Sequence, residues 1–189
     1  MSTEAIVAGP IRTERLDLLP LRVAHAEEMA AVLSDPALHT FIGGTPDTAE
    51  ALRSRYERMT AGSPDPAVTW LNWVIRLRDE GRSTGTVQAT IGTAGHDVVA
   101  EIAWVVGTPW QGRKIATESA RGLVAWLGRQ GVSSVIAHVH PEHRASAAVA
   151  AACGLTPSAV WQDGEVGWVR TTGPRTGGAR ANSGSKSWS

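Results

Sequence analysis

VVAEIAWVVGTPWQGRKIATESARGLVAWLGRQG, residues 98–131, decides the fold. Val98 to Gly107 is an apolar run of strand length, broken only by Glu101. A short polar turn follows. From about Lys114 to Arg129, apolar residues recur at helical spacing: Ile115, Ala116, Ala120, Leu123, Val124 and Leu127. Gly131 supplies the stop. A strand that passes through a tight turn into a helix aims free amide groups and the positive helix end at one point, where anions bind. Gln111-Gly112-Arg113-Lys114-Ile115-Ala116 is placed for this, and two of its side chains add positive charge. The same residues also fit an ordinary turn with two solvated cations. The glycine patterns of the two common nucleotide-phosphate loops are absent.

Outward from this unit, TWLNWVIRL (Thr69 to Leu77) and TVQATIG (residues 86–92) read as strands, with turns at Asp79–Gly85 and Gly92–Asp97. Their close spacing predicts an antiparallel meander that ends in the Val98 strand. Before them, RLDLLPLR (Arg15 to Arg22) reads as a first strand. A helix follows over residues 23–35, stopped at Asp35-Pro36, and a second is capped by Asp47 or Thr48 and runs to Met59. After the central helix, Ser133 to His140 reads as a fifth strand. It follows a strand-helix unit, so it should lie parallel to a strand before that helix. An alanine-rich helix (Ala145 to Cys153) and two short strands around Gln162-Asp163-Gly164-Glu165 close the domain. The fold class is therefore α/β (α+β), a mixed and mostly antiparallel sheet flanked by helices. From Thr172 the chain is rich in Gly, Ser and Arg, so residues 1–171 are read as one domain and 172–189 as a disordered tail.

The chain has 189 residues, 18 basic and 18 acidic, and this balance argues against a nucleic-acid partner. One cysteine, Cys153, leaves no internal disulfide and no multi-cysteine metal site; it is expected to be a buried structural thiol. His138, His140 and His143 lie close in sequence, but no carboxylate pair completes a ligand set, so no metal is expected. The start of the chain does not read as a signal peptide, and no apolar stretch reaches the roughly 18 residues of a membrane span. A cytoplasmic protein is expected, as monomer or homodimer. Eight tryptophans stand against one Phe and one Tyr, and most sit in strand or helix runs, where core or wall positions are expected.

The order of elements resembles the GNAT superfamily of acetyl-CoA-dependent N-acetyltransferases. IRTERLDLLPLR with HAEEMAAVLSDPALHTFIGG resembles the opening of its subgroup related to ribosomal-protein alanine acetyltransferases. AEIAWVVGTPWQGRKIATESA is similar to that family's pyrophosphate motif with its preceding strand, and HVHPEHRASAAVAAACGL to its next strand and helix. The likeness covers about residues 10–171. It departs from the family pattern at three positions. Lys114 stands for a glycine, His143 for an asparagine, and Ala150 for the tyrosine that many members use to protonate the leaving thiolate.

The resemblance implies that strands 4 and 5, the parallel pair, splay apart with the pantetheine arm of acetyl-CoA between them. Trp104, Val105 and Val106 would pair with that arm, and the thioester carbonyl would take a backbone N–H near Trp104 or Val105. The pyrophosphate would sit on Gln111, Gly112, Arg113, Lys114, Ile115, Ala116 and Thr117. Glu101 is a carboxylate in mid-strand among apolar neighbours, costly unless it faces a cleft or has a partner. It is the candidate general base, acting directly or through water, or else a solvent-facing strand residue. Ser146 is a candidate cofactor contact and thiolate proton donor, or a helix N-cap, or both. His143 is a candidate cofactor contact or an exposed loop residue. Glu118, in the helix's second turn, reads as a dipole-compensating or structural acid. Trp70, Trp73 and Trp168 are candidate acceptor-binding residues, and aromatic and acidic groups suit a cationic amine. The acceptor is then a primary amine, either a protein N-terminus or a small molecule such as an antibiotic. The alternative reading is a catalytically weak acyl-CoA-binding or regulatory module; action on charged tRNA is disfavoured by the charge balance.

Overall fold

The computed structural model describes residues 6–172. Eight strands form one sheet in the order β1-β2-β3-β4-β5-β6-β8-β7. They are β1 (Ile11–Arg12), β2 (Leu16–Pro20), β3 (Thr69–Leu77), β4 (Arg82–Ala94), β5 (Asp97–Val106), β6 (Ser134–Val139), β7 (Thr156–Gln162) and β8 (Glu165–Thr171). All neighbours are antiparallel except β5 and β6. The helices are α1 (Ala26–Val32), α2 (His39–Ile42), α3 (Ala49–Ala61), α4 (Ile115–Arg129) and α5 (Arg144–Ala152). The mixed, mostly antiparallel sheet and its parallel pair are those the sequence predicts. Among the described residues no helix is long and apolar enough to cross a membrane.

Alternation along the strands divides the sheet into two faces. Leu71, Trp73 and Ile75 of β3, with Ala100 and Ile102 of β5, pack against Leu123, Trp126 and Leu127 of α4 in the main core. Val74, on the other face, packs against Met29, Leu52 and Tyr56 of α1 and α3. α4 carries its apolar stripe at the expected positions, and Gly131 follows it with φ 82°.

Three details differ from the sequence reading. The first strand is shorter, Leu16–Pro20, and the two-residue β1 pairs with it. α2, only four residues long, carries too little periodicity to be seen. Gly85 is not part of the turn but lies within β4, where it must be glycine: a Cβ there would stand 2.1 Å from the Val105 carbonyl oxygen. The predicted tail lies outside the described residues except for Thr172, whose N–H donates to the Ser133 carbonyl at 2.7 Å.

Candidate active site

β5 and β6 stay together for three residue pairs only, Val99 with Ser134, Ala100 with Val135 and Glu101 with Ile136. Beyond Glu101, β5 remains on β4 while β6 remains on β8, so the sheet splits. The Gly107 N–H donates to the Thr84 carbonyl of the β4 chain at 2.8 Å. Hydrogen-bonded pairs alternate along an antiparallel ladder, so Val105 and Ala103 also spend their peptide groups on β4. Those of Ile102, Trp104 and Val106 point into the split. Two contacts agree with this parity: the Val98 carbonyl accepts from Ser133 N–H, and the Val106 carbonyl accepts from the Gln111 side chain at 3.1 Å. The sequence offered Trp104 or Val105 as the open amide. The open one is that of Trp104, and Val105 lines a cavity on the sheet face that carries Glu101.

At the end of the split strand lies the turn into α4. Gly112 has φ 74° and Lys114 has φ 60°, ψ 20°, the left-handed conformation that glycine adopts without strain. Lys114 therefore keeps the glycine's backbone shape at a steric cost. Among the described residues, the six amides from Gly112 to Thr117 donate to no other backbone group. They are a run of unpaired donors at the positive end of a fifteen-residue helix. Ile115 contributes only its amide, since its side chain is in the core. The Arg113 side chain has an acidic partner. Its guanidinium lies 2.7 Å from Glu80, which also accepts from the Trp110 indole at 3.1 Å and is held below the usual carboxylate range by those bonds, Arg113's above all. Arg15 bonds the Arg113 carbonyl and pairs with Glu118 at 2.7 Å. Glu118 also accepts from the Thr13 hydroxyl and the Arg15 N–H, which makes it the structural acid that the sequence suggested.

Glu101 sits at the apex of the split, on the face turned toward α1–α3. Its carboxylate is 41% exposed, and His138 Nδ1 lies 2.9 Å from it, with a side chain only 11% exposed. Glu101 is therefore neither buried nor alone. A residue from the other arm of the split holds it, and His138 in that role was missing from the sequence reading.

Among the loop residues, His143 and not Ser146 caps α5. The Ser146 N–H donates to His143 Nδ1 at 3.3 Å, and Ser146 lies in the first turn, half-buried. Burial first, then the neighbouring His140, pushes the His143 pKa down against the pull of Glu165, which keeps Nδ1 an acceptor. Phe41 of α2 stacks on His143 with centroids 4.3 Å apart and meets His140 at 5.3 Å. The three histidines thus have other roles, and among the described residues no three His, Cys, Asp or Glu side chains are gathered for a metal ion.

The aromatic candidates separate by face. Trp70, 36% exposed, lines the cavity on the Glu101 side. Trp73 is fully buried on the opposite face; its ring meets Trp126 edge-on at 5.3 Å and its N–H donates to the Gly9 carbonyl. Trp168, opposite Ala137, packs on the same main core. Both indoles pack in the main core, although Trp73 also borders the cavity on the Glu101 side.

The sheet thus splits beside a row of open amides, with an acid at the apex of the split. Residues 15–156 match the family model of the acetyltransferase (GNAT) domain, and the chain belongs to that family. It is similar in structure to an acetyltransferase from Agrobacterium tumefaciens (25% identity, TM-score 0.66, covering 88% of this chain and 96% of that one). It is also similar to RimL, a ribosomal L7/L12 α-N-protein acetyltransferase solved with coenzyme A (17%, TM-score 0.69, 86% and 98%). The microcin C7 self-immunity acetyltransferase MccE, solved with acetyl-CoA and AMP, is a third (18%, TM-score 0.68, 84% and 93%). No curated protein sequence matches the chain.

Proposed function

We propose that this chain moves the acetyl group of acetyl-CoA onto a primary amine, with both reactants bound together. The observation that carries the reading is the open Trp104 peptide group beside Glu101, at the point where the sheet splits. Membership of the family and the CoA-bound neighbours support it. A cytoplasmic setting, where acetyl-CoA is made, suits the same reading.

The amides of Gly112 to Thr117 hold the pyrophosphate, with Lys114 adding charge. Trp104 and Val106 pair with the pantetheine arm, and the Trp104 N–H stabilises the charge that grows on the thioester oxygen during attack. Glu101 takes the proton from the incoming ammonium, directly or through one water. His138 orients that carboxylate. Ser146, in the first turn of α5, bonds the pantetheine or returns a proton to the leaving sulfur, because Ala150 has nothing to give; His143 shapes that turn and contacts the same arm. The thioester is already activated, so holding the reactants in line supplies much of the rate.

The test is a melting scan with acetyl-CoA, CoA and ATP. Ligand at about 100 times its Kd adds about 2.7 kcal/mol, a rise of roughly 5–10 °C for a chain of this size. Both CoA species should shift the melt and ATP should not; no shift overturns the proposal. Glu101→Gln should then lower kcat by about 10²–10⁴ and alter the pH–rate profile while keeping the acetyl-CoA shift. His138→Gln should alter the same profile less steeply. If CoA binds and no amine releases thiol, the chain is an acyl-CoA-binding module instead.

A further inference from the structure

A cavity of about 480 Å³ lies between α1–α3 and the sheet face that carries Glu101, a size typical of small-molecule sites. Its floor holds Asn72, Thr86, Gln88 and Thr90, all neutral and polar, and Thr90 is the cross-strand partner of Glu101. The cavity thus ends beside the proposed base. The walls are mostly apolar, with Leu33, Met59 and Trp70 among them. The two acid–base side chains of fixed charge in the lining are Asp47 and Arg55, and they are joined to each other at 2.9 Å. His39, the remaining titratable imidazole, has Nδ1 2.9 Å from the Gly43 carbonyl.

From this geometry we infer that the acceptor is a small monoamine with an uncharged apolar body, alkyl or aromatic. The inference rests on the acetyltransferase reading and names its substrate class. The apolar body fills the cavity while the amine stands at Glu101 over the polar floor. A second ammonium in the cavity would lose its hydration and find Asp47 already neutralised; a carboxylate would find Arg55 in the same state. In a peptide, the carbon that bears the amine also bears the rest of the chain, which would have to share this space with the first side chain.

The test measures thiol release from acetyl-CoA with matched acceptors: phenethylamine, hexylamine, phenylalanine, 1,6-diaminohexane and a short peptide with N-terminal Phe. The expected kcat/KM for phenethylamine and hexylamine exceeds that of each charged counterpart, and of the peptide, by roughly tenfold or more, which corresponds to about 1.4 kcal/mol. Equal or better turnover of the diamine, the amino acid or the peptide overturns the inference. So does an acetyl-CoA melting shift without turnover of either monoamine. Absence of the melting shift sinks the acetyltransferase reading itself, so the two failures are distinct. Asp47→Asn frees Arg55 and should narrow the gap between phenylalanine and phenethylamine; Arg55→Gln should narrow the gap between diamine and hexylamine. Unchanged ratios in both variants refute the charge-cancellation argument even if each folds normally.

Discussion

Lys114→Gly should stabilise the free protein and weaken its hold on acetyl-CoA, two effects of opposite sign from one residue. The wild-type lysine is held at φ 60°, ψ 20° as the N-cap of α4, with no side-chain cap bond. A left-handed residue with a Cβ costs about 1–2 kcal/mol, and glycine escapes that cost. Glycine also gives the unfolded chain more freedom, which returns about 0.5–1 kcal/mol to the unfolded side. The net gain is about 0.5–1 kcal/mol, or roughly 1–4 °C in the melting temperature of a chain this long. A lysine charge brought to about 4 Å of a phosphate in water-like surroundings would contribute about 1 kcal/mol. Its loss should weaken acetyl-CoA roughly fivefold, an effect that fades as salt rises. Lys114→Ala is the control: it loses the charge but keeps the strained backbone, so it should bind like the glycine variant without the gain in stability. Melting scans with titrated acetyl-CoA read both quantities. If Lys114→Gly melts no higher than Lys114→Ala, the left-handed turn is not what positions the amides.

Glu118→Gln should cost about 1.5–3 kcal/mol in chemical denaturation, because the Glu118 carboxylate accepts from Thr13 and twice from Arg15. Burial alone would raise the Glu118 pKa, but those bonds hold it below 4.5. Its stabilisation is therefore complete above that pH and lost as the pH falls through the lowered value, and the variant should show a flatter acid limb. His143 is lowered from 6.5, so the unfolded chain binds its proton more readily; its share of stability is full above that pH and declines below it. His143→Asn, a cap that does not titrate, should remove that share of the decline in melting scans and leave the share of His25, which burial also lowers. Tyr56 keeps a buried hydroxyl with no partner among the described residues, and burial pushes its pKa up to about 12. Tyr56→Phe should leave stability unchanged or raise it by about 1 kcal/mol; a loss above that in denaturant melts would show that the hydroxyl has a partner.

Much of the fold was legible because its signals are local. β3 occupies the residues that the apolar run marks, and α4 starts within one residue of the expected place. The Asp163-Gly164 hairpin has both residues at positive φ, as a tight two-residue turn demands. The errors came where a feature depends on a distant neighbour. Gly85 reads as a turn glycine until β5 lies against it. Trp70 and Trp73 stand three apart on one strand, so alternation turns their indoles to opposite faces of the sheet. For Trp168 even alternation is insufficient, since its face follows from the pairing of β8 with β6.

The Glu101–His138 pair shows why the site was harder to read than the fold. Ile136 and His138 share a face by alternation, and Glu101 shares it only because parallel pairing sets Glu101 opposite Ile136. That register depends on how α4 returns the chain across the sheet, with Ser133 N–H on the Val98 carbonyl as its first contact. No spacing in the sequence encodes it. The pair is also the last contact before the arms separate, so one side chain from each arm meets at the apex. A change that opens the split further pulls His138 away from Glu101 and loosens the carboxylate at the same moment as it widens the channel beside Trp104. The width of the cleft and the placement of the Glu101 carboxylate are thus one geometric variable, set by the register of three residue pairs.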